Sequence, residues 1–375
     1  MGDTSGVRAL AMYLPQYHPI PENDRWWGAG FTEWRNVARA KPLFPGHYQP
    51  HLPGELGFYD LRVSETRAAQ AELARDHGIH GFCYYHYWFD GRRLLHRPID
   101  EILASGEPDF PFCLCWANES WTRAWDGSER EILVAQSYSE SDDLRHIRWL
   151  AAAFADPRYI RVNGRPLFLV YRASRLPDPR RTTDTWRSEA ARLGVGEPYL
   201  CRVDSFASER AVDPGSQGFD AAMDFQPDWN ELGQGSRRSP AWRMVAASRL
   251  SARAYVDHQV VDYAAFVRRT LARSAPAYKR YPGVTPMWDN TARRQRGGVI
   301  LHGSTPALYA AWLANVIEQF TPYGPGEDLV FINAWNEWAE GNHLEPCAKW
   351  GRAYLEASRR VLLPGATPSM PAQET

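Results

Sequence analysis

Eight short runs of apolar, β-branched and aromatic residues recur along the chain, at 9–14, 81–85, 112–116, 167–171, 199–203, 221–225, 284–288 and 329–335. Segments with helical periodicity lie between them, at 64–77, 141–154, 182–193, 263–273 and 305–320. The runs are strand-length, and near-continuous apolar character suits a parallel strand buried on both faces. Parallel neighbours need a crossover, usually a helix. Eight such strands alternating with helices fit an α/β fold, a single (β/α)8 barrel of TIM type. A doubly wound sheet would use the same alternation. Its nucleotide loop is missing, since no GxGxxG follows the first run and no GxxxxGK[ST] occurs anywhere. The barrel is expected over 7–363, with residues 1–6 and the tail 364–375 disordered.

Two connections are too long for simple βα loops, 15–60 and roughly 227–262. The first is rich in Trp, Tyr, Pro and His, so it reads as an ordered wall over the C-terminal face of the barrel. Lys plus Arg is 43 against 44 for Asp plus Glu, a formal net charge of −1. That balance gives no reason to expect nucleic acid or an anionic membrane as partner. No stretch reaches the length of a membrane span, and MGDTSGVRALAMYLPQYHP lacks the basic start and apolar run of a signal peptide, so a cytoplasmic location is expected. Five cysteines, Cys83, Cys113, Cys115, Cys201 and Cys347, show neither a CxxC nor a zinc pattern. They predict a reduced protein without disulfides. Histidines 18, 47, 51, 80 and 86 have no HExxH spacing, so no metal and no cofactor is expected.

The chain holds 16 Trp, 18 Tyr and 15 Phe, more than a core of this size needs. Many fall where a barrel places its active site, at the C-terminal strand ends. Tyr17 follows the first run. Tyr85, His86 and Trp88 follow the second, and Trp116, Asn118, Glu119 and Trp121 the third. Gln226 follows the sixth, Asp289 and Asn290 the seventh, and Asn336 and Trp338 the eighth. In the first long loop Glu33 and Trp34, with Trp26 and Trp27, read as a subsite wall or equally as a plug. Donors, acceptors and aromatic faces together are what a polyol needs, so these residues are candidates for binding a carbohydrate substrate. At least two of Trp88, Trp116, Trp121 and Trp338 are expected to line one cleft.

Glu337 and Glu340 are the sharpest pair. If the chain turns helical after the last strand, their spacing puts both carboxylates on one face. Two carboxyl groups with separated pKa values divide acid and base roles, as acetal cleavage requires. A solvated helix start, favoured by the macrodipole, is the bland alternative. Glu119 reads as a hydroxyl ligand or structural carboxylate rather than a third catalytic group. Asp289 and Asn290, followed by Arg293 and Arg294, could hold sugar hydroxyls or an acidic sugar, or equally form an ordinary turn with a solvated basic helix start.

The string WNEWAEGNHLEP, Trp335 to Pro346, resembles the acidic motif of family 99 glycoside hydrolases, the endo-α-mannosidase family. The opening YLPQYHPIPENDRWWGAGFTEWRNVARAKPLFPGHYQPHLPGELGFYD, with GFCYYHYWFDGRRLL and FCLCWANESWTRAWDG, looks like the WbsX-type branch of that group. The resemblance covers about Leu10 to Pro346. It implies a metal-free (β/α)8 barrel. It also implies that Glu337 acts as base on the sugar 2-hydroxyl, giving a 1,2-anhydro sugar, and that Glu340 protonates the leaving oxygen and later activates water, with retention of configuration. Ala339 stands where the mannosidases commonly have His, so mannose specificity does not carry over. The expected function is a retaining glycoside hydrolase acting on a bacterial polysaccharide or glycoconjugate. Its rivals are a WbsX-type glycosyltransferase of lipopolysaccharide or polysaccharide biosynthesis, weakened by the lack of an Asp-x-Asp motif, and a non-catalytic carbohydrate-binding barrel.

Overall fold

A computed structural model describes residues 6–123, 128–233 and 254–364. The ends expected to be disordered lie outside the described residues except at Gly6 and Pro364, as does the 234–253 part of the second long connection.

A ring of parallel strands forms the centre: β1 Arg8–Tyr13, β2 Ile79–Phe89, β3 Phe112–Trp116, β4 Arg165–Val170, β5 Tyr199–Asp204, β6 Ala221–Asp224, β7 Arg280–Tyr281, β8 Gly283–Val284 and β9 Leu329–Ile332. Their order is β7-β6-β5-β4-β3-β2-β1-β9-β8. Only Pro282 separates β7 from β8. The first pairs with β6 and the second with β9, so the ring closes through this one segment. Proline has no N–H to give a ladder, which accounts for the break, while its carbonyl still accepts from Phe331 N at 2.9 Å.

The connection after β1 carries two short helices, α1 Pro21–Trp27 and α2 Trp34–Arg39. Around the ring stand α3 Ser64–Asp76, α4 Arg97–Ser105, α5 Glu140–Phe154, α6 Pro179–Arg192, α7 Tyr263–Leu271, α8 Pro306–Gln319 and α9 Ala353–Leu362. Several starts are fixed by side chains: Ser139 accepts from Asp142 N, Asp178 from Arg181 N, Asp262 from Ala265 N and Thr305 from Leu308 N. The strands are buried almost throughout, the pattern of a sheet covered on both faces. The five cysteines are free and buried. No helix of the described residues is long and apolar enough to cross a membrane.

The seventh strand corrects the expectation of 284–288. It lies four residues earlier, beginning in the charged Lys279–Arg280 stretch and interrupted by Pro282, so it has no continuous apolar run to announce it. Trp288–Asp289 instead pairs antiparallel with Val299–His302, in a small sheet outside the ring. The closing residue is Gly283, where a Cβ would lie 2.0 Å from the Asp224 carbonyl oxygen. Gly283→Ala must part β6 from β8. It should cost about 1–3 kcal/mol or more, as overpacking does, seen as a lower urea midpoint. An unchanged midpoint would show that the ring does not close on this contact.

Candidate functional site

The chain leaving β9 does not turn into an α-helix. Asn336–Glu337 pairs antiparallel with Asn342–His343, and Trp338–Glu340 between them is a 3-10 turn. Residues three apart eclipse on a 3-10 turn, so Glu337 and Glu340 still share a face, at the C-terminal mouth of the barrel. The turn ends at Gly341, in left-handed conformation at φ 54°, where a Cβ would sit 2.9 Å from the Asp289 backbone oxygen. That close approach brings the loop after β8 against the loop after β9, and with it Arg293.

Arg293 donates from Nη1 to Glu340 Oε1 at 2.7 Å, from Nη2 to Glu337 Oε2 at 3.2 Å and from Nε to Glu33 Oε2 at 3.2 Å. One cation thus faces three carboxylates, and Glu33 is fully buried. Burial first and the Glu340 charge second raise the Glu337 pKa, against the opposing Arg293, to about 8. Glu340 is also raised by burial, with Arg293 opposing. The two titrate as a pair. Arg293 is closer to Glu340, and the Glu337 side chain is less exposed, 7% against 21%. The resting proton therefore favours Glu337.

A framework behind the pair fixes it. Asn336 Oδ1 accepts from Leu14 N at 2.7 Å, and its Nδ2 donates to Leu14 O at 3.1 Å. Tyr17 Oη donates to Asn336 O at 2.6 Å and accepts from Trp338 N at 3.1 Å. Trp338 Nε1 donates to Glu345 Oε2 at 2.6 Å, and its ring stacks on His343 at 3.7 Å. Glu345 also accepts from Tyr59 and Gln70. Burial nevertheless raises it to about 7.

Both carboxylates open on a cleft whose walls include Trp26, Trp27, Tyr85, Tyr87, Trp121 and Trp288. Trp121 meets Trp26 edge-on at 6.1 Å and Tyr87 at 5.1 Å. Of the residues named from the sequence, Trp26, Trp27, Tyr85, Glu119, Trp121, Arg293, Glu337 and Glu340 line this cleft. Glu119 is held by Arg172 Nη1 at 2.6 Å.

The others lie elsewhere, which corrects their expected placement. Tyr17, Asn336 and Trp338 belong to the framework just described. Trp34 is buried against Tyr17 and Trp338, with Nε1 donating to Tyr59 O at 2.8 Å. His86, Trp88 and Trp116 face outward, because strand side chains alternate. Tyr85 and Tyr87 take the inner positions of β2, and their neighbours pack under α5. There His86 Nε2 lies 3.0 Å from His146 Nε2, and Trp88 Nε1 donates to Asp142 at 3.1 Å. Trp116 donates to Trp88 O at 3.1 Å. Only Trp121 of the four tryptophans expected to supply two cleft residues does so. Asn118 clamps Arg172 through both backbone groups, at 2.7 and 2.9 Å. Gln226 bonds Asp224 and the Asp228 N–H. Asp289 accepts from His47 at 2.6 Å and Gln49 at 2.8 Å, and Asn290 accepts from Val299 N at 2.8 Å. These four brace the loops through the hydrogen bonds just given. Sequence reasoning missed Trp288, Trp229, Tyr171 and Tyr87. Tyr87 was readable from its parity with Tyr85. Among the described residues no group of three or more His, Cys, Asp or Glu is arranged to hold a metal ion.

The family described as Glycosyltransferase WbsX matches residues 9–358. Two curated relatives, each an "Uncharacterized protein WxcX" from a strain of Xanthomonas campestris pv. campestris, are 45% identical over 362 residues, 96% of this chain and 50% of theirs. The chain spans about half the length of those relatives. Among solved structures, a "Glycoside hydrolase-like protein" aligns with TM-score 0.61 at 12% identity, covering 96% of this chain and 95% of that one. The GH99 endo-alpha-mannosidase from Bacteroides thetaiotaomicron aligns with TM-score 0.57 at 14% identity, covering 95% and 96%. At such identities the likeness is one of fold.

The raised pKa of Glu337 makes a stability prediction. An unfolded glutamate loses its proton near pH 4.3, about the ordinary value, whereas the folded one keeps it to about 8. The folded state binds more protons across that window, so this group's contribution is present below it and lost as pH rises through it. Glu337→Gln should therefore gain melting temperature relative to wild type between about pH 5 and pH 8, by at least about 2 °C. A difference that does not change with pH would contradict a retained proton.

Proposed function

Because the chain belongs to the WbsX glycosyltransferase family, its cleft is read as a glycan site, and we propose that it is a retaining glycoside hydrolase of bacterial polysaccharides or glycoconjugates. One observation carries this reading: Glu337 and Glu340, bridged by Arg293, share a wall of an aromatic cleft. The pair with one proton is the working form. Glu340, the more exposed partner, protonates the leaving oxygen. Glu337 takes the proton of the 2-hydroxyl as that oxygen closes on the anomeric carbon. Glu340, now ionised, takes a proton from water as the water oxygen attacks the anomeric carbon, and Glu337 returns its proton to O2 as the anhydro ring opens, with net retention. Arg293 keeps the second negative charge in place. For the free enzyme to reach this form, the shared proton passes from Glu337 to Glu340 as substrate displaces the resting contacts. Tyr85, Trp121, Trp26 and Trp288 supply faces for sugar rings.

The family description favours a second reading, glycosyl transfer. Among the described residues lining the cleft Arg293 is the cationic side chain, and three carboxylates already engage it. A nucleoside diphosphate finds little support there, so transfer would use a glycoside donor with a sugar hydroxyl in place of water. Released reducing ends from surface polysaccharides, measured beside nucleotide-sugar consumption, separate the two readings.

The roles predict unequal losses. Glu340→Gln should lose about 100- to 10,000-fold on a glycoside with a poor leaving group and recover most of it on an activated aryl glycoside, which needs little protonation. Glu337→Gln should stay impaired on both. A 2-deoxy glycoside should resist the wild type. Equal losses for both variants on both substrates would contradict the assignment, and ordinary cleavage of the 2-deoxy substrate would exclude participation of the 2-hydroxyl.

A further inference from the structure

The cleft holds a polar group that the carboxylate chemistry does not use. Asn23 lies on α1, lines the same cleft as Glu337 and Glu340, and is 1% exposed. Neither its amide oxygen nor its amide nitrogen has a hydrogen-bond partner. Leaving a buried amide unpaired is costly, and an apolar residue would pack there without that cost. The position therefore calls for another reason than packing.

The helix supplies one. Residues three and four apart share a face, and Trp26 and Trp27, at those distances from Asn23, also line the cleft and are only half-buried. Trp26 is fixed against Trp121. One face of α1 thus presents an amide and two indoles to the cavity. The carboxyl and cationic groups along the walls are Glu119, Glu337, Glu340 and Arg293, and the carboxyls outnumber the cation. An anionic sugar would meet like charge, whereas a neutral one would not.

We propose that the face of α1 formed by Asn23, Trp26 and Trp27 is a subsite for a neutral, hydroxyl-rich pyranose. It rests on the glycan reading of the cleft. Rotation about the soft terminal torsion of Asn23 turns the amide to neighbouring hydroxyls, its oxygen accepting from one and its nitrogen donating to another. The indoles cover the C–H face of the ring. The free protein carries the unpaired amide, and the bound sugar satisfies it.

Saturation-transfer NMR tests this with neutral hexoses and their disaccharides, the corresponding hexuronic acids and a monodeoxy series, on wild type and Asn23→Ala. The wild type should bind neutral sugars in preference to uronic acids and lose affinity when one particular hydroxyl is removed. Asn23→Ala should bind the parent sugar about tenfold more weakly, no longer distinguish it from that deoxy sugar, and melt no lower than wild type. Should the alanine variant fail to fold, Asn23→Asp keeps the shape and loses the donor, and is expected to lose the same discrimination. Unchanged discrimination in the variant, preference for uronic acids, or no binding of any neutral sugar would each overturn the proposal. Binding as expected without cleavage of any glycoside would instead sink the hydrolase reading and leave this subsite standing.

Discussion

The Arg293 guanidinium is the point on which the mouth of this barrel is organised. It collects Glu33 from the loop after β1, and Glu337 and Glu340 from the loop after β9, while itself arriving from the loop after β8. Glu337 and Glu340 cannot both ionise cheaply beside one shared cation, because desolvation disfavours charge and like charges disfavour it further. A retained proton is the cheapest way out. The same constraint gives the pair its chemistry, since one protonated and one ionised carboxyl is what acid–base division needs. Breaking such a cluster by removing the cation would typically cost about 3–5 kcal/mol, because uncompensated charge stays buried.

The cluster holds its geometry because the chain around it has little freedom. Asn336 is tied to the end of β1 through both Leu14 backbone groups, and Tyr17 bridges Asn336 and Trp338. Glu345 anchors Trp338 from behind. Ring closure at Gly283 and the approach of Gly341 to Asp289 bring the two loops together. Barrel closure, loop packing and carboxylate placement are therefore one structural problem. Residues read as sugar ligands turn out to brace loops because such a mouth needs many polar braces.

Much of the barrel was legible, since strands buried on both faces must be apolar along their length. The seventh strand was not, because it begins in charged residues and is cut by Pro282. In the site, Glu337 and Glu340 could be read from local spacing, which survives whether the turn is α or 3-10. The aromatic residues were read at the right strand ends but on both sides of the strand. Tyr85 and Tyr87 face the cleft while His86 and Trp88 face α5, a distinction set by register with β3. Pairing of Arg293 with Glu33, 260 residues away, depends on tertiary packing and has no local signature. Asn23 was hidden for a similar reason, because its isolation inside the wall is a property of the fold.

Infrared difference spectroscopy reads directly whether this cluster keeps a proton on its carboxylates at neutral pH. A wild type minus Glu337→Gln spectrum cancels most of the contribution of Glu345, which is also raised. A protonated-carboxyl C=O band is expected at neutral pH, disappearing with a midpoint near 8, the value to which Glu337 is raised. A spectrum showing only ionised carboxylate at neutral pH, with the band emerging in the ordinary range below about 5, would contradict it.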